Sequence, residues 1–299
     1  TITNSSGTIR RHCQHFQKYF VKENSKLLHM NIAKIDKLLL QSECNRLIKK
    51  YNMSQTEWKN VKTIIRGMFE YAYDKKIIRE NPCDRLKITV KFKQINKKPS
   101  ETQVYKTQEY QNIHEYLDCM YSEENDSVYL AVKFQFFTGM RVGELVALRW
   151  EDVDQESFKL HIHSEESDQP YLDQNGKWHS KRVVVPHTKT NTDRTLQLLP
   201  KAIEVIKKLP QGQEFLFMRG NERITERQVN YVLEKYAERM GVLTKSSHKL
   251  RKTYASRLDA AGVPLDVIQR DLGHRSAKTT LTYFYNPLED HETYDLKAK

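Results

Sequence analysis

SHKLRKTYASRLDAAGVPLDVIQRDLGHRSAKTTLTYFY, residues 247–285, reads as three consecutive helical segments punctuated by glycine and proline. The first covers 247–261 and closes at Gly262, because glycine past a helix end takes the left-handed conformation without a Cβ clash. The second covers 264–271 and the third 276–285. His248 and Arg251, three residues apart, share one helix face. His274 follows Leu272-Gly273, and Tyr283 comes nine residues later.

Towards the N-terminus, helices are expected over 201–209 and over 225–240, the latter closed by Gly241. Phe158, Leu160 and Ile162 alternate as a strand. Val183-Val184-Val185 and residues 195–198 supply two more strands of one small antiparallel sheet, and the polar stretch 164–181 reads as an exposed hairpin or loop. A helix over 127–138 ends at Gly139, a short helix covers 142–148, and Thr107 opens another through Tyr110, Ile113 and Leu117. The fold class is mainly α with a small antiparallel β-sheet (α+β).

The first third reads as helices alone. Ile9, Cys13, Phe16 and Phe20 form one helical stripe with Ser5 or Ser6 as N-cap, and Ile32, Ile35, Leu38 and Leu39 suggest a second helix. Ser54-Gln55-Thr56-Glu57 is a capping box, followed by Trp58, Val61, Ile65, Met68 and Ala72 on one face. Asn81-Pro82 is read as the stop. From about Val90 to Lys106 periodicity gives way to a Lys-rich, polar interdomain linker.

Charge divides along the same line. The chain carries a net +12, and residues 1–100 hold 22 Lys+Arg against 8 Asp+Glu, so the rest is nearly balanced. A positive excess confined to one part suits the electrostatic grip of a polyanion, with Arg10, Arg11, Lys59, Lys62 and Arg66 facing outward. No run approaches the roughly 20 apolar residues that span a bilayer, and residues 1–11 lack a signal-peptide core. Four scattered cysteines, without a Cys-x-x-Cys pair, read as reduced thiols of a cytosolic protein.

Familiar catalytic motifs are missing: no phosphate-binding Walker loop, no His-Glu-x-x-His, no Gly-x-Ser-x-Gly, and no paired carboxylates for Mg²⁺. No metal or other cofactor is expected. Chemistry at a phosphodiester would then rest on side-chain cations, and three points supply them: Arg141 within Thr138-Gly139-Met140-Arg141-Val142-Gly143-Glu144-Leu145, the His248/Arg251 pair, and His274. Two guanidiniums can hold two non-bridging phosphate oxygens by bidentate, charge-assisted bonds.

In order and spacing, this set resembles the signature of the tyrosine recombinase (phage-integrase) family: Thr-Gly-x-Arg-x-x-Glu-Leu, His-x-Leu-Arg, Leu-Gly-His, then a tyrosine nine residues on. The resemblance implies a helical core-binding domain over 1–89, a linker over 90–106, a catalytic domain over 107–285 and a tail over 286–299 suited to docking on a neighbouring subunit. It implies Arg141 and Arg251 as the phosphate-binding arginines, and His248 as the residue that orients phosphate and assists proton transfer. His274 would hydrogen-bond the phosphate, and Lys189, with Lys181 near it, would protonate the leaving 5′ oxygen. Tyr283 would be the nucleophile in preference to Tyr285 because of its spacing from His274, and both could not face one phosphate, since a two-residue step turns a helix by about 200°. Glu144 is expected to be structural.

The implied activity is site-specific recombination of double-stranded DNA through a 3′-phosphotyrosyl intermediate, by a homo-tetramer on two duplexes gripped in a clamp. Accessory excision or host DNA-bending proteins are the further partners it implies, with no membrane partner and a cytoplasmic, nucleoid-associated location in a bacterium. Thr1 in place of an initiator Met fits an integrase of a phage or conjugative transposon trimmed of an arm-binding domain. A type IB topoisomerase-like enzyme and a non-catalytic DNA-binding relative are the alternatives.

Overall fold

A computed structural model of the chain describes residues 6–186 and 193–298. The chain divides into two compact units, one reaching to Lys97 and including 168–181, the other made of 98–167 and the chain from Arg182 onward.

In the first unit, α1 (Ser6–Phe16) continues into a π-turn over Gln17–Val21, followed by α2 (Lys37–Lys50) and α3 (Gln55–Asp74). Asp36 decides where α2 begins. Its carboxylate accepts from Leu39 N at 2.8 Å, so Ile32 falls in a separate 3₁₀ turn instead of the helix expected there. The Ser54/Glu57 capping box is present at the head of α3. The buried face of α3 is Trp58, Val61, Ile65, Phe69 and Ala72; Met68, turned about 100° from Phe69, is 44% exposed. Ile9 and Cys13 are likewise exposed, so the core starts at Tyr19 and Phe20 and packs against Leu40, Cys44 and Leu47. α3 ends at Asp74, well before Asn81-Pro82, and Lys76 takes φ +56°.

The second unit opens on Val104 and Tyr105, both fully buried, with Tyr105 N donating to Thr253 Oγ1 at 2.9 Å. There follow α4 (Thr107–Glu124), α5 (Ser127–Thr138) and α6 (Val142–Leu145). Strands β1 (Val153–Asp154), β2 (Lys159–Ile162), β3 (Glu165–Leu172), β4 (Trp178–Val185) and β5 (Arg194–Gln197) come next along the chain, with 168–181 of β3 and β4 and their turn counted in the first unit. The chain then runs through α7 (Pro200–Lys207), β6 (Met218–Arg219), β7 (Glu222–Arg223), α8 (Glu226–Met240), α9 (Ser247–Ala260), α10 (Leu265–Leu272), α11 (Ala277–Leu281) and α12 (Asp290–Ala298).

β1, β2 and β5 form an antiparallel sheet in which Leu160 sits opposite both Val153 and Leu196. Alternation buries Leu160, Ile162 and Leu196 on one face. Val183–Val185 belong elsewhere than expected: β4 pairs with β3 in a separate hairpin. At the centre lies α5, apolar around nearly its whole circumference and therefore buried on all sides, against α4, α7, α8 and α9. Among the described residues, no helix is long and apolar enough to cross a membrane.

Gly139 ends α5 in the left-handed region at φ +62°, and a Cβ there would lie 2.3 Å from the Tyr254 ring. Gly139→Ala is expected to cost about 2–4 kcal/mol, combining a strained φ with overpacking. Urea unfolding of wild type and variant measures it; equal midpoints would contradict this packing.

Candidate active site

The turn after α5 sets the first group. Arg141 is the N-cap of α6, and its backbone N–H donates to Glu144 Oε2 at 2.9 Å while Nη1 reaches Oε1 at 2.7 Å. Glu144 is fully buried. Arg194, first residue of β5, meets it with both terminal nitrogens, Nη1 to Oε1 at 3.0 Å and Nη2 to Oε2 at 2.7 Å. Burial alone would raise the Glu144 carboxyl; the Arg194 hydrogen bonds and charge, with Arg251 and Arg141, outweigh it and hold the group at about 2.

Arg251, 1% exposed on α9, is the largest fully buried side chain among the described residues. It donates from Nη1 to Gly139 O at 2.7 Å and from Nη2 to Leu272 O, so one guanidinium ties the end of α5 to the end of α10. Burial, then the Arg141 charge, lowers it to about 10, and it remains a cation at neutral pH. Its Nε has no hydrogen-bond partner among the described residues, nor has Nε2 of His274. Unpaired buried polar atoms are uncommon, and these two lie close enough for the Arg251 charge to act on His274.

His248, at the head of α9, and His274, just past Gly273, both pack edge-on against Tyr283, with ring centroids 5.2 and 4.6 Å away. Arg251 stands over the same ring, Cζ 5.9 Å from its centroid. Burial, then Lys252 and Arg251, lowers His248 to about 4; burial, then Arg251 and Arg141, lowers His274 to about 3. Both imidazoles are thus neutral at pH 7. His274 Nδ1 is bonded to Thr280 Oγ1 at 3.0 Å, leaving Nε2 for another partner.

Tyr283 is not on a helix. α11 stops at Leu281 instead of running to 285, and Tyr283 N closes a turn on Thr280 O at 2.9 Å. The Ser256 hydroxyl donates to Tyr283 O and accepts from Tyr285 N, each at 3.0 Å. Lys252 Nζ stands over both tyrosine rings, 5.9 Å from that of Tyr283 and 4.8 Å from that of Tyr285, and the imidazole contacts described above are to Tyr283. Lys189 lies outside the described residues, and Lys181 is exposed on β4. Among the described residues, no group of three metal-ligating side chains occurs.

Arg141, His248, Arg251, His274 and Tyr283 are therefore brought together from four separate segments. Arg194, Ser256 and Thr280 were not legible as part of this group. A lone arginine opening a short strand carries no motif, and a serine or threonine on a helix is unremarkable until its partner is seen.

The sequence profile of the phage integrase family matches residues 103–290. A tyrosine recombinase XerC-like protein of Caldanaerobacter subterraneus subsp. tengcongensis is 25% identical over 98% of this chain and 77% of its own. The ICEBs1 integrase of Bacillus subtilis is 23% identical over 91% of this chain and 70% of its own. Among solved structures, the Tn1549 transposon integrase in complex with transposon right end DNA has the same fold, with TM-score 0.68 at 17% identity over 99% of this chain and 95% of that one. With such a match over its larger part, the chain belongs to the phage integrase family. It is a tyrosine recombinase, an enzyme of site-specific DNA strand transfer.

The neutral histidines give the fold a pH dependence. Their folded values lie below the ordinary 6.5, so the unfolded chain takes up protons first as pH falls. Stability from this source is complete above about 6.5 and is lost as pH drops towards 4 and then 3, by up to ~1.4 kcal/mol per pH unit for the buried His274 and by less for His248, which is exposed to solvent and screened by it. Urea midpoints at pH 7 and 5 should differ less in His248→Gln and His274→Gln than in wild type; equal differences would refute the assignment.

Proposed function

We propose that Tyr283 attacks a DNA backbone phosphate held by Arg141 and Arg251, giving a 3′-phosphotyrosyl link and a free 5′ hydroxyl. The phenol Oη–P bond forms as the P–O5′ bond breaks; the phenol proton leaves and the 5′ oxygen gains one. Attack by a 5′ hydroxyl of another strand reverses these changes and joins the new pair. The diester's energy is kept in the link, so the exchange runs without ATP.

The observation that carries this reading is the Tyr283 ring enclosed by two neutral imidazoles and a buried guanidinium. Preorganised cations stabilise charge as it develops on a pentacoordinate phosphorus, and need no reorganisation to do so. The unpaired Arg251 Nε and His274 Nε2 would donate to non-bridging oxygens, the latter with Thr280 Oγ1 donating to Nδ1. His248 orients the phosphate and assists proton transfer, and Lys189 protonates the leaving 5′ oxygen. The substrate is double-stranded DNA bound chiefly through its phosphates, to which the basic residues 1–100 contribute. Relatives solved on DNA, including the Tn1549 integrase on transposon right end DNA, support that partner. A homo-tetramer on two duplexes carries out the exchange.

A nicked suicide duplex, from which the cleaved fragment diffuses away, tests the reading. Wild type should accumulate an SDS-resistant protein–DNA adduct. Tyr283→Phe should form none while binding DNA with unchanged affinity, and equal trapping by that variant would refute the nucleophile. Arg141→Ala and Arg251→Ala should each cleave at least 100-fold more slowly, measured as single-turnover adduct formation. Joining of strands from two different duplexes would separate recombination from mere relaxation of supercoils.

A further inference from the structure

Arg194 belongs to no catalytic motif and touches none of the groups proposed to meet the phosphate. Yet it is buried, 7% exposed, and all its nitrogens are bonded to two of the segments that form the pocket. Nη1 and Nη2 grip both oxygens of Glu144, in the motif of Arg141, while Nε donates to Asp271 O at 2.8 Å, three residues before His274. The fit continues at Gly273, where an added Cβ would lie 3.0 Å from Arg194 Cδ.

The consequence concerns how Arg141 shares its donors. Glu144 has no exposure, so its charge must be met by neighbours. Arg194 takes an oxygen with each arm, and Arg141 supplies only its backbone N–H and a single Nη1 bond, its side chain keeping 21% exposure. Without Arg194, the only cation among the described residues hydrogen-bonded to that buried carboxylate would be Arg141. A bidentate guanidinium–carboxylate pair is a strong alternative to holding phosphate, so Arg141 would turn inward onto Glu144.

We propose that Arg194 is a positioning residue that occupies Glu144 so that Arg141 stays free to face the phosphate, and that also sets the turn carrying His274. This rests on the active-site reading above. The residue acts through Arg141 and His274 and contacts no substrate.

The test uses the full chain on the suicide duplex, reading single-turnover cleavage rate and DNA affinity separately, with Tyr283→Phe as reference. Arg194→Met should cleave at least tenfold more slowly with DNA affinity within threefold of wild type. Arg194→Lys, a cation without the planar fork, should fall between the two. In Arg194→Met/Glu144→Gln the neutral amide no longer competes for Arg141, so cleavage should rise at least threefold above Arg194→Met. A wild-type rate for Arg194→Met, or a double variant no faster than Arg194→Met, would overturn the proposal. If Arg194→Met loses its thermal transition, Arg194→Lys and the double variant decide: a folded Arg194→Lys with wild-type rate overturns it. Adduct formation by Tyr283→Phe would instead overturn the active-site reading, whichever way the Arg194 variants behave.

Discussion

An ionised carboxylate with no access to water is tolerated in a protein only when cations surround it, and Glu144 is such a group. Removing a charge from water costs several kcal/mol even after relaxation, and here that cost is offset by Arg194 on both oxygens, Arg141 on one, and the nearby charge of Arg251. Three guanidiniums against one carboxylate leave the cluster with a net charge of two, and one of them, Arg251, stands 5.9 Å from the Tyr283 ring centroid. Burial first, and then the nearby cationic charges, keep the two imidazoles neutral. An arrangement of this kind is costly to maintain in the unfolded-to-folded balance, and an anion brought to it, such as the phosphate proposed above, would offset that cost.

Rigidity of the surroundings follows from how the arginines are held. Arg251 is bonded to main-chain oxygens at the ends of two helices, and those oxygens are among the carbonyls that a helix terminus leaves without an internal partner. Gly139 is needed twice, once for its left-handed turn and once for the clearance to Tyr254, and its carbonyl then meets Arg251. Tyr254 in turn donates to Asp271 Oδ2 at 3.1 Å, next to the carbonyl that receives Arg194. Packing and polar pairing thus serve the same few residues.

Much of this was legible in the chain. The α+β class, the glycine-closed ends of α5, α8 and α9, and the capping box of α3 follow from local rules that tertiary context did not override. Arg141, His248, Arg251, His274 and Tyr283 could be named because each sits in a motif of fixed spacing. What escaped depended on non-local partners. The stop of α11 at Leu281 reflects bonds from Ser256 to the following main chain, 27 and 29 residues away. The exchange of Phe69 for Met68 in the core is a matter of about 100° of helix rotation, below what a hydrophobic stripe resolves. The pairing of Val183–Val185 with β3 instead of β2 depended on a register that alternation alone does not choose.

The phenol of Tyr283 rests against imidazoles of its own chain, on a segment clasped at its main chain by Ser256. In the chemistry proposed above, each polypeptide would therefore furnish attacker and phosphate-binding groups together. On that proposal, blending two crippled populations, one deprived of its hydroxyl and the other of a guanidinium, would leave every centre broken in one way or the other, and neither population would rescue its counterpart.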